Sequence, residues 1–137
     1  MKDAERPLFS LFRIGNSIQA LNKRTEKYCG LSLVQWCLLK YLIDMPGSSA
    51  QLLAKAVGVH PSTLTQTLKR LEKKKFIFIT EDPKDSRKKL ISITRAGKYT
   101  LETTAGNVQV WTKDLSILGD DLDRVQSHLF HQLSKGR

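Results

Sequence analysis

Between Ser62 and Lys73 the chain reads STLTQTLKRLEK, short hydroxyls and an amide first, cations after. Ser62, Thr63, Thr65 and Gln66 can donate and accept hydrogen bonds, while Lys69, Arg70 and Lys73 carry positive charge. At 100° per residue, Ser62, Gln66, Lys69, Arg70 and Lys73 fall on one helix face, with Thr63 and Thr65 at its flanks. Leu64, Leu68 and Leu71 form the opposite, apolar stripe, and no acid lies on the polar face. Such a face is suited to binding a polar, anionic surface rather than to making or breaking bonds.

A second stretch, DPKDSRKK (Asp82 to Lys89), gathers four Lys/Arg and two Asp. FIFIT (Phe76–Thr80) precedes it and LISIT (Leu90–Thr94) follows, both reading as strands, so the charges belong on a hairpin tip. Lys84, Asp85, Arg87 and Lys88 are its candidate functional residues. Asp82, directly before Pro83, is expected to shape the turn. Taken alone, each stretch has a plain alternative: a solvated amphipathic helix and a solvated turn.

The charge distribution favours the binding reading. The chain of 137 residues has a formal net charge of +10. Residues 60 to 100 hold eleven Lys/Arg against four acids, most of that excess. A basic block of this kind implies an anionic partner, nucleic acid ahead of a membrane surface, because half of the block is strand rather than a basic amphipathic helix. No signal-peptide pattern or long apolar run is present, so a cytoplasmic protein is expected. Cys29 and Cys37 do not suggest a disulfide framework. Neither a Gly-rich phosphate loop nor a Ser/His/Asp or metal-ligand constellation is legible, so an enzyme is the weakest class and no cofactor is expected.

The elements that must position these residues follow from periodicity and punctuation. A first helix runs from Leu8 to about Tyr28, with Ile14, Ile18, Leu21 and Tyr28 on one face and Gly30 ending it. Ser32 and Gln35 have capping-box spacing and open a helix apolar nearly all round, expected at the centre of the core. Ser48 and Gln51 repeat that spacing for a short helix through Val57, closed by Gly58. Pro61 suits the first position of the next helix. After the hairpin, Thr94 caps a long helix carrying Ala105, Val108, Trp111, Leu115 and Leu118. GDDLD then turns into a last helix with the stripe Leu122, Val125, Leu129 and Leu133.

Helix, short turn, polar basic helix and two-stranded hairpin form the order of a winged helix-turn-helix. The runs LSLVQWCLLKYL, LLAKAVGVHPSTLTQTLKRLEKKKFI and DPKDSRKKLISITRAGK resemble the MarR family of winged-helix transcriptional regulators. The resemblance covers Leu31 to Lys98 by motif and the flanking helices by pattern. Its most specific part is the wing, with Asp85-Ser86-Arg87, basic residues after it, and Thr94 to Gly97 in the family's Thr-x-x-Gly. The resemblance implies that Arg87 enters a DNA minor groove and that Asp85 orients it. A carboxylate that holds a guanidinium in place beforehand reduces the rotamer entropy lost on insertion.

The expected fold is mainly α (α+β), a winged helix-turn-helix core with N- and C-terminal helices forming a dimerisation region. Residues 1–137 make a single MarR-type domain, 31–98 its DNA-binding core, and 7–29 and 99–134 the dimerisation helices. The outer stripes exceed what the core can cover, which favours a two-fold homodimer through Leu8, Leu11, Phe12, Trp111, Leu115, Leu118, Leu129 and Leu133. The resemblance further implies double-stranded DNA as partner, repression as the commoner outcome, and a small aromatic effector; Phe12, Trp36 and Tyr41 are the candidates to line its site. A protein-interaction module and a cysteine-based redox sensor using Cys29 stand as alternatives. His128 and His131, spaced i, i+3, have no accompanying ligands, and no metal is expected.

Overall fold

The computed structural model describes residues 2–135, apart from the side chains of residues 105–112 and 114. The chain divides into two compact units, residues 1–105 and 106–137.

In the first unit, α1 spans Arg6–Cys29 and ends where Gly30 takes the left-handed conformation (φ 70°). The face it buries is Leu21, Thr25 and Cys29 rather than the expected Ile14, Ile18 and Tyr28. Tyr28 is exposed, with Lys27 Nζ over its ring. Thr25 tolerates full burial because its hydroxyl donates to the Leu21 carbonyl at 2.8 Å. Helix α2 (Leu33–Asp44) opens with the expected capping box, Ser32 Oγ accepting from the Gln35 N–H and Gln35 Oε1 from the Ser32 N–H. It is the central helix: Leu38, Leu39 and Leu42 are wholly buried.

Helix α3 (Ala50–Val57) is capped by Ser49, one residue later than its spacing suggests, with Ser49 Oγ accepting from the Leu52 N–H. The reason lies in a two-residue strand, β1 (Ser48–Ser49), that pairs antiparallel with the hairpin. Ser48 is buried, and its hydroxyl turns back to the Met45 carbonyl. Helix α4 (Pro61–Lys73) starts at Pro61 and buries Leu64, Leu68 and Leu71 as the stripe requires, together with Thr67. Strands β2 (Ile77–Asp82) and β3 (Asp85–Ile93) reach further into the charged stretch than the flanks alone suggest, leaving only Pro83 and Lys84 at the tip. The sheet order is β1-β3-β2.

Helix α5 (Arg95–Thr112) begins at the root of this hairpin. Thr94 Oγ accepts from the Gly97 N–H and donates to the Lys75 carbonyl, and the Thr94 N–H donates to the Phe76 carbonyl at 2.9 Å. Lys75 sits in the left-handed region (φ 63°), which turns the chain out of α4 into β2. Gly97 is required by proximity: a Cβ there would be driven into the Phe76 carbonyl oxygen and the Ile93 side chain.

The second unit holds a 3-10 segment, Lys113–Leu118, and α6 (Gly119–Ser134). Leu115 and Leu118 therefore lie beyond the end of α5 instead of continuing its stripe; Ala105, Val108 and Trp111 lie outside the described side chains. Asp120 and Asp121 occupy the first turn of α6, favourable against the helix dipole. Leu122, Val125 and Leu133 are exposed and Leu129 is half-buried.

Candidate nucleic-acid interface

The buried stripe of α4 fixes which side of the helix meets solvent. Ser62, Thr63, Thr65, Gln66, Lys69, Arg70 and Lys73 are all exposed. Ser62 to Lys73 covers about 16 Å along the helix axis, polar groups leading and cations following. Not every hydroxyl is free to donate. Thr65 Oγ gives its proton to the Pro61 carbonyl at 2.9 Å, so outward it offers lone pairs and a methyl group. The helix N-cap is His60, whose ring accepts the Ser62 N–H at 3.2 Å. Its position immediately before Pro61 was a legible signal for that role, which the pattern of outward residues does not use.

The wing supplies the second element. Asp85 Oδ1 accepts from Arg87 Nε at 3.1 Å and from the Arg87 backbone N–H at 3.1 Å, and Asp85 Oδ2 lies 3.5 Å from Nη2. The Arg87 side chain is nonetheless 89% exposed. Hydrogen bonds from Arg87 hold the Asp85 carboxyl below its ordinary range. Asp82 Oδ1 accepts the Lys84 N–H at 2.9 Å and shapes the tip. Lys89 pairs with Glu81 directly opposite it in the ladder. Lys84 and Lys88 are exposed and have no carboxylate partner among the described residues.

A cavity of about 550 Å³ lies between α1, α2 and the end of α3, with Ile18, Leu33, Val34, Cys37, Val57 and Val59 as its apolar wall. Gln19, Asn22 and Lys23 supply its polar side, and Asn22 Oδ1 accepts the Leu33 N–H at 2.7 Å. Burial pushes the Cys37 thiol pKa up. Phe12, Trp36 and Tyr41 do not line this space. Phe12 is 72% exposed on α1, and Trp36 and Tyr41 are half-buried against the core. Apolar type identified those three, whereas the cavity wall is set by where α1 leaves α2. Cys29 is buried, its thiol 4.0 Å from the Thr104 carbonyl oxygen. His128 and His131 border an open depression on α6 with Asp123, Arg124 and Ser127, and no metal-binding group of His, Cys, Asp and Glu occurs among the described residues. Among those residues no helix is long and apolar enough to cross a membrane.

A buried-stripe helix presenting a basic polar face, followed by a hairpin with an arginine at its edge, defines a winged helix-turn-helix protein. Residues 30–88 match the model of the MarR family of transcriptional regulators, which the chain resembles. It is similar to the transcriptional activatory protein BadR of Rhodopseudomonas palustris, 27% identical over 98% of this chain and 78% of that protein. Two solved structures are also similar. One is a MepR-like protein complexed with pseudoligands, with 26% identity, 94% of each chain covered and a TM-score of 0.75. The other is a mutant of S. aureus MepR bound to an oligodeoxyribonucleotide, with 25% identity, 95% of this chain and 98% of that one covered, and a TM-score of 0.57. Members of this class regulate transcription through DNA binding rather than catalysis.

Proposed function

We propose that the protein is a cytoplasmic homodimer that binds double-stranded DNA in a sequence-dependent way. Helix α4 enters the major groove, where Ser62, Thr63, Thr65 and Gln66 meet base edges and Lys69, Arg70 and Lys73 take phosphates. Arg87 enters the adjacent minor groove, whose negative potential draws a guanidinium. The observation that carries this reading is the exposed Arg87 already held by Asp85, on a chain whose α4 also presents a basic outward face. The oligodeoxyribonucleotide bound to the MepR mutant supports it.

Two copies related by a two-fold axis would set their α4 helices about 34 Å apart, one DNA turn. Exposed Leu8 and Phe12 on α1, and Leu115, Leu118 and Leu133 in the second unit, supply apolar surface for that pairing. Occupying a promoter excludes polymerase, so repression is the default outcome, and operator placement can reverse the sign, BadR being named an activatory protein. The cavity beside α1 and α2 is the place for a small, largely apolar effector whose polar head meets Asn22 or Lys23. The pseudoligands of the MepR-like protein support that part.

The test is a mobility shift on duplex DNA across a salt series. If about six to ten phosphates are neutralised, affinity falls by about 10³ to 10⁵ between about 50 and 200 mM salt. A flat log–log slope would remove the electrostatic basis of the proposal.

A further inference from the structure

His60 does more than start α4. Its Nδ1 accepts the Ser62 N–H at 3.2 Å and lies 2.8 Å from the Ser62 hydroxyl oxygen. A backbone amide only donates and cannot turn round. In the uncharged ring the proton therefore sits on Nε2, and Nδ1 keeps its lone pair for the cap. The neighbouring hydroxyl then has one favourable orientation, its hydrogen pointing at Nδ1. Ser62 Oγ is left with lone pairs outward and presents an acceptor.

Protonation inverts this arrangement. A proton taken from solvent onto Nδ1 ends the amide cap and is donated to Ser62 Oγ at the same short distance. The serine's own hydrogen is released to point outward, and Ser62 presents a donor. We propose that His60 is a specificity-determining residue that sets, through its protonation state, whether Ser62 offers an acceptor or a donor to a DNA base edge. The proposal rests on α4 being the helix that reads DNA. In the major groove an acceptor selects the exocyclic amines of adenine and cytosine, whereas a donor is met by guanine O6 and N7, thymine O4 or adenine N7 and by nothing on cytosine.

The surroundings leave the pair to itself. Charged groups on the elements packed against α4 are Lys55 on α3, Lys40 and Asp44 on α2, and Glu81 and Asp82 on β2. On α4 itself they are Lys69, Arg70, Glu72 and Lys73. Among the described residues the His60 ring bonds to Ser62 and to none of these.

Binding-site selection from randomised duplex DNA, at fixed salt and at about pH 8 and about pH 5.5, reads this directly. The full chain is compared with Ser62→Ala and His60→Asn; asparagine is a good N-cap whose acceptor does not titrate. Ser62→Ala marks the base position concerned by relaxing it. At that position the unaltered protein is expected to favour adenine or cytosine at the higher pH by about two- to tenfold, the worth of one hydrogen bond. At the lower pH cytosine is expected to lose that preference and guanine or thymine to gain it. His60→Asn is expected to show no shift between the two, whatever its overall affinity. An unchanged preference in the unaltered protein, a shift that survives in His60→Asn, or Ser62→Ala relaxing no position overturns the role of His60. Failure of the unaltered protein to shift any duplex at either pH overturns the DNA-binding reading itself, and is told apart by that absence of binding.

Discussion

Asp85 binds Arg87 twice through one oxygen, accepting both its Nε–H and its backbone N–H at 3.1 Å, while the guanidinium stays open to solvent. The contact fixes the arm without burying it. Electrostatics and pre-organisation then make opposite forecasts for Asp85→Ala, since the substitution removes a negative charge facing DNA and also frees the arginine. We expect weaker operator binding by Asp85→Ala, and almost no further effect once Arg87 is alanine. Arg87→Ala alone should cost about 1 to 3 kcal/mol per half-site. A double-mutant cycle at fixed salt decides it; tighter binding by Asp85→Ala, or simple additivity, rules out the positioning role.

The same pair sets the pH range over which Arg87 stays held. Arg87 lowers the Asp85 pKa below the ordinary carboxylate value. A depressed acid contributes above its unfolded pKa and loses that contribution as pH falls through the folded one. The Asp85–Arg87 contact is therefore expected to persist between about pH 5 and 8 and to be lost only in stronger acid. The Asp85 carboxyl carbon shift, followed by NMR, should titrate below the ordinary range and return to it in Arg87→Ala. An Asp85 titration identical in the two proteins would contradict the ion pair in solution.

Along α4 the expected division of labour separates by substitution. Gln66→Ala should relax selection at one base step by about 1 to 3 kcal/mol and leave non-specific binding nearly unchanged. Lys73→Ala should weaken binding to every duplex alike and lower the salt slope by about one. Affinities measured on operator and random DNA check both, and reversed phenotypes would mean that the two side chains exchange roles.

Gly97→Ala tests the root of the wing without touching any charged residue. Its methyl group meets the Phe76 carbonyl and Ile93, so backbone has to move. The expected loss is about 1 to 3 kcal/mol of stability, as for other overpacked sites, seen as a lower denaturant midpoint. An unchanged midpoint would show that α5 can stand off from β2.

Much of this architecture is written in punctuation that acts locally. Gly30, the Ser32–Gln35 box, Pro61 and the α4 leucine stripe each impose their effect within one or two helical turns, and each is where the pattern puts it. The exposed face of α4 follows from that stripe by rotation alone. What periodicity misses depends on partners distant in sequence. Ser48 loses the cap to Ser49 because its hydroxyl turns back to the Met45 carbonyl while its backbone pairs with Ile91, far along the chain. Thr25 is buried where Tyr28 is not, because a self-satisfied hydroxyl fits beneath a helix and a phenol ring does not. The cavity wall at Ile18, Val34 and Val59 combines three segments that no single pattern links.

The hairpin behaves mechanically as a beam clamped at one end. Its clamp is the Thr94 cluster, together with Ile91 and Leu90 held between β1 and β2. Arg87 stands three residues beyond Leu90, about 10 Å along the strand, in the irregular stretch where no β2 residue is paired with it. Deflection of such a beam grows toward the free end, so the arginine can search a groove while the register at the root does not slip. Reach is accordingly adjustable only in steps. One residue added to a strand turns every side chain to the opposite face. Two added to each strand keep the faces and carry the guanidinium about 7 Å further out.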